Sequence, residues 1–516
     1  MVSRPAAGRR DAGAGAMSLD SALLIASSGL RLTSAQMAQA SQNVANAGTA
    51  GYSAKHVLGE AVEEAGVRGL EPSRNVDETL RAEARNAHAD AAAADLRASV
   101  LSPLAQLQGD PSSGTSLGGL IGALRDGFTA LQASPAEGGA QATALNAAAA
   151  VAGQLNDLTS AVTRARQGVQ DGLQSDVDQA NGLLRTIAQL DAGVRAASAA
   201  GRSNADALDR RDAAIAGLAE LMDVRPIAAE GGGVTLILRG GAVLPLDAEA
   251  SPLSIGSANA SPGAYYGPPG GTLPGIMLNR VDITASLGSN GRLGAAVELR
   301  DETLPLMQSE LDLTAATLAQ RMDQQGLRLF TDGGDAPPDP TVSGYGGAVI
   351  GYAGRIAVNP EVEASPRLLR DGTQATASFT PNPATGPSGF TTLLDNVLQY
   401  GFGTGPAAGT SYAAIPTSGL GPNTKLNSRF SAPTGIVDYA MAATASQSQA
   451  ATAAEAQRDH TAAASAQLDA LVQKREGVNV DQEMASLVQL QNAYAANARV
   501  MSVVQSMWDA LIGMVH

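Results

Sequence analysis

One pentapeptide of the chain has the spacing of a catalytic motif. Residues 114–118 read Gly-Thr-Ser-Leu-Gly and fit the GxSxG pattern, in which a turn between a strand and a helix exposes a nucleophilic serine. The preceding residues 109–113, Gly-Asp-Pro-Ser-Ser, form a turn rather than a buried strand, and a chain with 58 glycines produces such a match by chance. A serine hydrolase using Ser116 therefore remains only a remote alternative, and we expect no enzyme.

The residues that other catalytic and cofactor sites require are missing or scattered. The chain has no cysteine, which excludes disulfides, thiolate nucleophiles and cysteine-bound metals. Its four histidines form no HExxH motif, none of its three lysines follows a glycine as in a Walker loop, and no GxGxxG occurs. Asp209 and Asp212 lie beside Arg210 and Arg211 on a predicted helix, and we interpret them as solvated ion pairs. No cofactor and no metal site is expected.

Charge and hydropathy limit the possible partners. The chain has 516 residues and a net charge of −15, so we expect no binding to nucleic acid and none to anionic membranes. No apolar run reaches 18 residues, which predicts no membrane insertion. The apolar run at residues 21–26 is too short for a cleaved secretory signal. Residues 1–16 are predicted to be a disordered extension, and translation starting at Met1 or at Met17 stays open.

Both ends of the chain carry a helical pattern that would position an interaction face. Steps of four and three residues are the coiled-coil period. At the N-terminal end, eight of nine positions in such a series are apolar; the series is Leu19, Leu23, Ala26, Leu30, Thr33, Met37, Ala40, Val44 and Ala47. At the C-terminal end two such series lie side by side; the first is Val480, Met484, Leu487, Gln491, Tyr494, Ala498, Met501, Gln505, Trp508, Ile512 and Val515, and the second is Leu490, Ala493, Asn497, Val500, Val504, Met507, Leu511 and Met514. They predict assembly through Met484, Leu487, Tyr494, Val500, Met501, Val504, Met507, Trp508, Leu511 and Ile512. Two adjoining apolar series make a face wider than one partner helix needs.

Composition divides the rest of the chain into alternating helical and β-rich parts. The predicted fold class is multi-domain and mainly α, in which paired terminal helices and an elongated helical bundle bracket inserted β-rich outer domains. The expected segments are an N-terminal assembly helix and motif (17–55), a helical rod domain (75–225), a β-rich domain (226–300), a helix (301–330), an outer β-rich domain (331–432), a return helix (433–479) and a C-terminal assembly helix (480–516). Within them, Asn290-Gly291 is read as a hairpin signal.

A segment that begins within the first predicted helix and continues beyond its end resembles a family signature. Residues 28–53 read SGLRLTSAQMAQASQNVANAGTAGYS, and this resembles the N-terminal signature of bacterial flagellar rod, hook and hook-associated proteins. The matching positions include Asn43, Asn46, Thr49, Gly51 and Tyr52, whereas Gln42 and Ala50 replace the usual Asn and Pro. The C-terminal residues 477–514 are similar to the second signature of that family.

Interior segments narrow the resemblance to one branch of the family. Residues 204–224, 291–305 and 355–366 are similar to hook-associated protein 1, the FlgK branch. The resemblance implies a structural subunit of the hook–filament junction that leaves the cell by flagellar type III export without a cleaved signal and assembles outside. It implies as partners further copies of the chain, the hook protein, a second junction protein and an export chaperone that captures the C-terminal helix.

Another axial protein remains an alternative to this interpretation. The hook or distal rod protein shares both terminal signatures. The hook protein should turn to β structure soon after the Gly-Tyr motif, whereas about 150 predicted helical residues intervene here. The long helical stretch therefore favours the hook-associated branch.

Overall fold

A computed structural model describes residues 19–63, 66–333 and 336–514, except for the side chain of Leu511. The expected extension at residues 1–16 and the alternative start at Met17 lie outside these residues. The helices of the described part are α1 (Leu19–Ala45), α2 (Glu78–Gln108), α3 (Leu117–Ala133), α4 (Gly138–Ala199), α5 (Ala205–Leu221), α6 (Gly291–Glu298), α7 (Leu304–Gln324), α8 (Pro340–Ser343), α9 (Pro360–Ala364), α10 (Leu368–Asp371), α11 (Thr392–Asn396), α12 (Ile436–Glu476) and α13 (Val480–Gly513). The predicted mainly helical fold class is confirmed.

The strands of the described part are short and form small antiparallel sheets. They are β1 (Lys55–His56), β2 (Gly59–Val62), β3 (Gly66–Gly69), β4 (Ser73–Arg74), β5 (Val224–Ala228), β6 (Val234–Leu238), β7 (Val243–Leu244), β8 (Leu253–Ser254), β9 (Met277–Leu278), β10 (Val281–Asp282), β11 (Phe330–Thr331), β12 (Ala357–Val358), β13 (Ser418–Leu420) and β14 (Leu426–Asn427). The sheets are β1–β4, β2–β3, β5–β6–β7, β8–β9–β10, β11–β12 and β13–β14. The alternation of Val234, Leu236 and Leu238 correctly predicts β6, in which these three side chains are buried.

Long helices with small side chains form the rod. Helix α2 packs along α12, and α3 and α5 pack against the 62-residue helix α4. Alanines 89, 93, 94 and 98 of α2 are buried, and such small side chains let helix axes approach closely. The breaks between α2, α3 and α4 fall where Pro111 and Pro135 follow Gly-Asp and Ser, as the turn chemistry predicts.

The predicted hairpin at Asn290-Gly291 is wrong. Asn290 directly precedes α6, and Gly291 has a φ of 75° at the first helical position. A Cβ atom at Gly291 would lie 2.9 Å from the carbonyl oxygen of Leu221, so a glycine is required there. Helix α6 continues through a π-helical turn at Leu299–Thr303 into α7. The helix that the sequence predicts from residue 301 therefore begins at residue 291.

The β content predicted for residues 331–432 is also wrong for the described part of this segment. Its strands have two or three residues each, and loops and the short helices α8–α11 separate them. Six of its eight aromatic side chains join the main core that includes α7 instead of forming a core of their own. The carboxylate of Asp312 on α7 accepts hydrogen bonds from Tyr345 Oη at 2.9 Å, Gly351 N at 2.7 Å and Ala353 N at 2.9 Å. These bonds replace sheet pairing in holding the segment in place.

Helix α7 is buried from Leu304 to Met322, and it carries a carboxylate without a cationic partner in hydrogen-bond contact. Glu310 accepts hydrogen bonds from Gln447 Nε2 at 2.6 Å and Ser428 Oγ at 3.3 Å. Burial raises the pKa of Glu310 to about 7 despite these bonds. Because this value lies above that of the unfolded chain, the folded protein loses stability as the pH rises through about 7.

Replacing Glu310 by glutamine should remove this pH dependence. The amide can still accept from Gln447 and can donate to Ser428, but it carries no charge. Since one pKa unit corresponds to about 1.4 kcal/mol, Glu310→Gln should raise the free energy of unfolding by about 3 kcal/mol at pH 8 and by little at pH 5. Urea denaturation at both pH values measures this. The exposed control Glu302→Gln should change neither value, and an equal effect of Glu310→Gln at both pH values would contradict the prediction.

Candidate functional site

Helices α1 and α13 pack against each other, so the ends of the described chain form one pair. Every member of the predicted N-terminal series is buried or half-buried, and Ala26, Thr33 and Ala40 form its buried centre. Gly29 of α1 faces Asn497 of α13, where a Cβ atom would lie 3.0 Å from the amide nitrogen of that side chain. The expectation that the N- and C-terminal helices pack together is confirmed.

The face of α13 that meets α1 combines members of both predicted C-terminal series. Val504 is buried, and Leu487, Leu490, Asn497 and Met501 are half-buried. These positions keep the four-three spacing of a coiled coil. Both predicted series follow the same period, so their spacing alone cannot show which of their members meet α1.

A second apolar face of α13 has no partner within the described chain. Val500, Val503, Met507 and Met514 lie along this side of the helix in steps of three, four and seven residues, and they are between 46% and 81% exposed. Of the predicted assembly residues, the exposed ones are Met484, Tyr494, Val500, Met507, Trp508 and Ile512. Further exposed apolar side chains of α13 are those of Val480, Val488, Val503 and Met514. We call the four residues Val500, Val503, Met507 and Met514 the open face of α13.

A tight turn follows α1 and carries the signature residues. Asn46 Nδ2 donates to Gln42 O at 2.9 Å, and the backbone N–H of Thr49 donates to Asn46 O at 2.9 Å. The backbone N–H of Tyr52 then donates to Thr49 O at 3.2 Å. Gly51 has a φ of 76°, a conformation that favours glycine. The turn sends the chain back along α1, so that Tyr52 faces Asn43.

Asn43 is the centre of a buried hydrogen-bond network. Its Nδ2 donates to Lys55 O at 2.9 Å and to Glu483 Oε1 of α13 at 2.8 Å. Its Oδ1 accepts from Tyr52 Oη at 2.9 Å, Lys55 N at 3.2 Å and Gln39 Nε2 at 3.2 Å. The terminal amide of asparagine carries both hydrogen-bond donors and an acceptor. Neither aspartate nor leucine has this combination, so neither could replace Asn43 here. The network joins both terminal helices to β1.

A cluster of buried ion pairs connects this network to the rod. Lys55 is 3% exposed, and its Nζ lies 2.7 Å from Asp209 Oδ2 on α5 and 3.0 Å from Asp206 Oδ1. Asp209 also accepts from Ser53 Oγ at 2.7 Å and from Arg74 Nη1 at 3.0 Å. Burial favours the neutral carboxyl, but the hydrogen bonds from Lys55, Ser53 and Arg74 outweigh it and lower the pKa of Asp209. Asp209 is therefore charged at neutral pH.

Further pairs extend the cluster to the junction of α12 and α13. Asp212 lies 2.7 Å from Arg74 and 2.5 Å from Arg81, both measured from Oδ2 to Nη1. Arg81 Nη2 lies 2.6 Å from Glu476 Oε2 at the end of α12. The interpretation of Asp209 and Asp212 as solvated pairs with their neighbours on the helix is wrong. Their partners come from distant segments, and the pairs are largely removed from water.

Sequence inspection misses the cations and most of the carboxylates of this cluster. Lys55 and Arg74 follow the signature, but nothing in their spacing marks them as buried. The one available signal is the low charge density of the chain, of which only 16% is Asp, Glu, Lys or Arg. Within such a chain, acidic and basic residues near a motif are candidates for mutual pairing.

Ser116 caps the N-terminus of α3. It directly precedes α3, its Oγ accepts from Gly119 N at 3.2 Å, and it donates to Ser113 O at 2.9 Å. These are the bonds of a helix N-cap. The residues before it form a turn, so the strand that a nucleophile elbow requires is not there.

Two family matches give this geometry its context. Residues 101–334 match the family described as flagellar hook-associated protein FlgK helical domain. Residues 473–514 match the family described as flagellar basal body rod FlgEFG protein C-terminal. The chain contains a FlgK helical domain. Since FlgK proteins are structural parts of the flagellum, the hydrolase alternative at Ser116 is set aside.

A solved structure resembles part of this chain. It is the flagellar hook junction protein FlgK from Burkholderia pseudomallei, with 24% sequence identity and a TM-score of 0.41. The match covers 49% of this chain and 47% of that chain, so it spans about half the length of each. No curated protein sequence matches the chain.

No helix in the described part of the chain is both long enough and apolar enough to cross a membrane. No group of three or more potential metal ligands lies together in residues 19–63, 66–333 and 336–514.

Proposed function

We propose that the chain is a structural subunit of the hook–filament junction and that the pair of α1 and α13 is its assembly element. The observation that carries this proposal is the open face of α13, which has no partner within the described chain. Large exposed apolar patches on soluble proteins mark interaction sites. The buried ion cluster supports the proposal as well, because it fixes the direction in which the helix pair leaves the rod.

Several partners follow from this assignment. Other copies of the chain would form a ring through the open face, with the hook protein on one side and a second junction protein on the other. Before export, a flagellar chaperone would cover α13, since Val500, Val503 and Met507 have the spacing of anchors for helix-in-groove binding. The protein would act outside the cell, at the flagellum, after type III export without cleavage of a signal peptide.

Deletion of the gene tests the proposal against the alternative of a hook or rod protein. Cells without the chain should carry hooks that lack filaments and should release flagellin into the medium, because flagellin would have no junction on which to polymerise. Electron microscopy and immunoblotting of the medium measure both effects. Cells without hooks would instead assign the chain to the hook or rod, and normal filaments would contradict every axial role.

A further inference from the structure

A cavity of about 360 Å³ lies at the C-terminal end of α7, far along the chain from both assembly helices. Among the described residues that line it, the polar side chains are uncharged except for one guanidinium. They include Gln320, Arg321, Gln324, Thr376, Ser411 and Tyr412. The volume falls within the range of small-molecule sites, which is about 300–1,000 Å³.

Arg321 is an unpaired cation in this cavity. It is 1% exposed, and no carboxylate of residues 19–63, 66–333 and 336–514 lies within ion-pair distance of it. Its Nη1 donates one long hydrogen bond of 3.4 Å to Gly403 O, and its guanidinium stacks 4.0 Å from the ring centre of Tyr412. Burial lowers the pKa of Arg321 to about 10, which leaves it charged at neutral pH.

Two other buried arginines of the chain, Arg300 and Arg166, have stronger partners than Arg321. Arg300 pairs with Asp301 at 2.7 Å. Arg166, which has no carboxylate partner either, donates to three backbone carbonyls at 2.7 to 3.0 Å. Arg321 alone among these three combines burial, one weak acceptor and an adjoining cavity. A buried cation without a counter-ion is costly, so an anion entering this cavity would find a charge already desolvated.

The end of α7 does not by itself account for Arg321. A cation near a helix C-terminus gains from the helix dipole and from free carbonyl groups. The carbonyls of Met322 and Asp323 already accept hydrogen bonds from the backbone N–H groups of Gln325 and Gly326, and Asp323 O accepts from the Gln374 amide as well. The side chain of Arg321 reaches Gly403 and Tyr412 instead.

The chemistry of the walls defines the ligand. One guanidinium balances one negative charge, and its planar fork matches a carboxylate. The cavity is several times larger than a carboxylate, since a water molecule takes about 30 Å³. Its remaining walls present amides and hydroxyls, such as Gln324, Thr376 and Ser411, which can both donate to and accept from hydroxyl groups. We propose that this cavity binds a sugar acid, a six-membered polyhydroxyl ring that carries one carboxylate.

This inference goes beyond the junction role and does not depend on it. A free monosaccharide and the terminal residue of a glycan share the required chemistry. An internal residue of a polyanionic polymer lacks this chemistry. Its neighbours in the polymer would bring further negative charges close to a protein whose net charge is −15.

Calorimetric titration of the full chain with galacturonic acid tests the inference. We expect binding at millimolar concentration, at least tenfold weaker binding of galactose and of acetate, and binding of a galacturonate-terminated oligosaccharide with similar affinity. Arg321→Gln should weaken galacturonate binding at least tenfold, because a charge-assisted pair is lost. Arg164→Gln, on the exposed side of α4, should bind as the parent does.

A second variant tests the site independently, in case Arg321→Gln fails to fold. Ala413 is exposed at the wall of the cavity, and Ala413→Trp should block the cavity without disturbing the core. Loss of binding in both variants, with retained helical circular dichroism, supports the site. Absence of binding to the parent chain, equal binding by Arg321→Gln, or equally tight binding of acetate or galactose would overturn the proposal.

Discussion

Replacing Val503 by aspartate should leave the monomer folded and abolish filament attachment. Val503 is 55% exposed on the open face of α13, so a carboxylate at this position stays in water before assembly. In a ring of subunits the same carboxylate would be buried without a partner, at a cost of several kcal/mol in every contact. Because the contact repeats around the ring, assembly should fail while the melting temperature of the monomer changes little. Cells that produce Val503→Asp should export the protein, carry bare hooks and shed flagellin.

Two further variants separate assembly from folding. Val504 is the next residue, but it is 3% exposed and faces α1, so Val504→Asp should separate the helix pair in the monomer itself. Amide exchange of α1 and α13 would show this as lost protection in Val504→Asp and normal protection in Val503→Asp. Gln457→Asp adds the same charge to an exposed position of α12 and should leave motility unchanged. Normal filaments on Val503→Asp cells would exclude the open face from the junction.

The terminal helices are the part of the fold that the sequence predicts best. Periodicity is a local signal, and the members of the N-terminal series from Leu19 to Val44 are all buried or half-buried on α1. The same signal cannot tell which side of α13 has a partner in the monomer. Val503 lies outside both predicted series, and only the packing of α1 against Val504 shows that Val503 is left exposed.

The network around Asn43 could be predicted only in part. The signature marks Asn43 and Tyr52, but their partner Glu483 is 440 residues away from Asn43 in the chain. Asp209 is 154 residues from Lys55, and no periodicity relates the two. Long-range ion pairs depend on how whole segments pack, which a single sequence does not reveal. The same reason explains the error for residues 331–432, where aromatic and Gly-rich composition indicates β structure but packing on α7 decides the outcome.

Replacing Asp209 by asparagine should loosen the attachment of the terminal helices to the rod. The variant keeps a hydrogen-bond acceptor for Ser53 but leaves Lys55 and Arg74, which are 3% and 8% exposed in their side chains, with fewer counter-ions. Breaking a buried pair in this way costs about 3–5 kcal/mol, and we expect about 3 kcal/mol because other carboxylates of the cluster remain. The loss should appear as faster amide exchange in the signature turn and β1, with unchanged protection in α3 and α4.

The pH dependence of this effect provides an independent test. The pKa of Asp209 lies below that of the unfolded chain, so its contribution is present above the unfolded value of about 3.9 and is lost as the pH falls through the folded value. The difference in protection between the parent chain and Asp209→Asn should therefore be constant near neutral pH and shrink below about pH 4. Asp126→Asn is the matched control, because Asp126 is 72% exposed in its side chain and pairs only with Arg125 at 3.5 Å. Such surface pairs contribute about 0–1 kcal/mol, so the control should exchange like the parent. If Asp209→Asn exchanged no faster than Asp126→Asn at neutral pH, the cluster would not be what holds the helix pair to the rod.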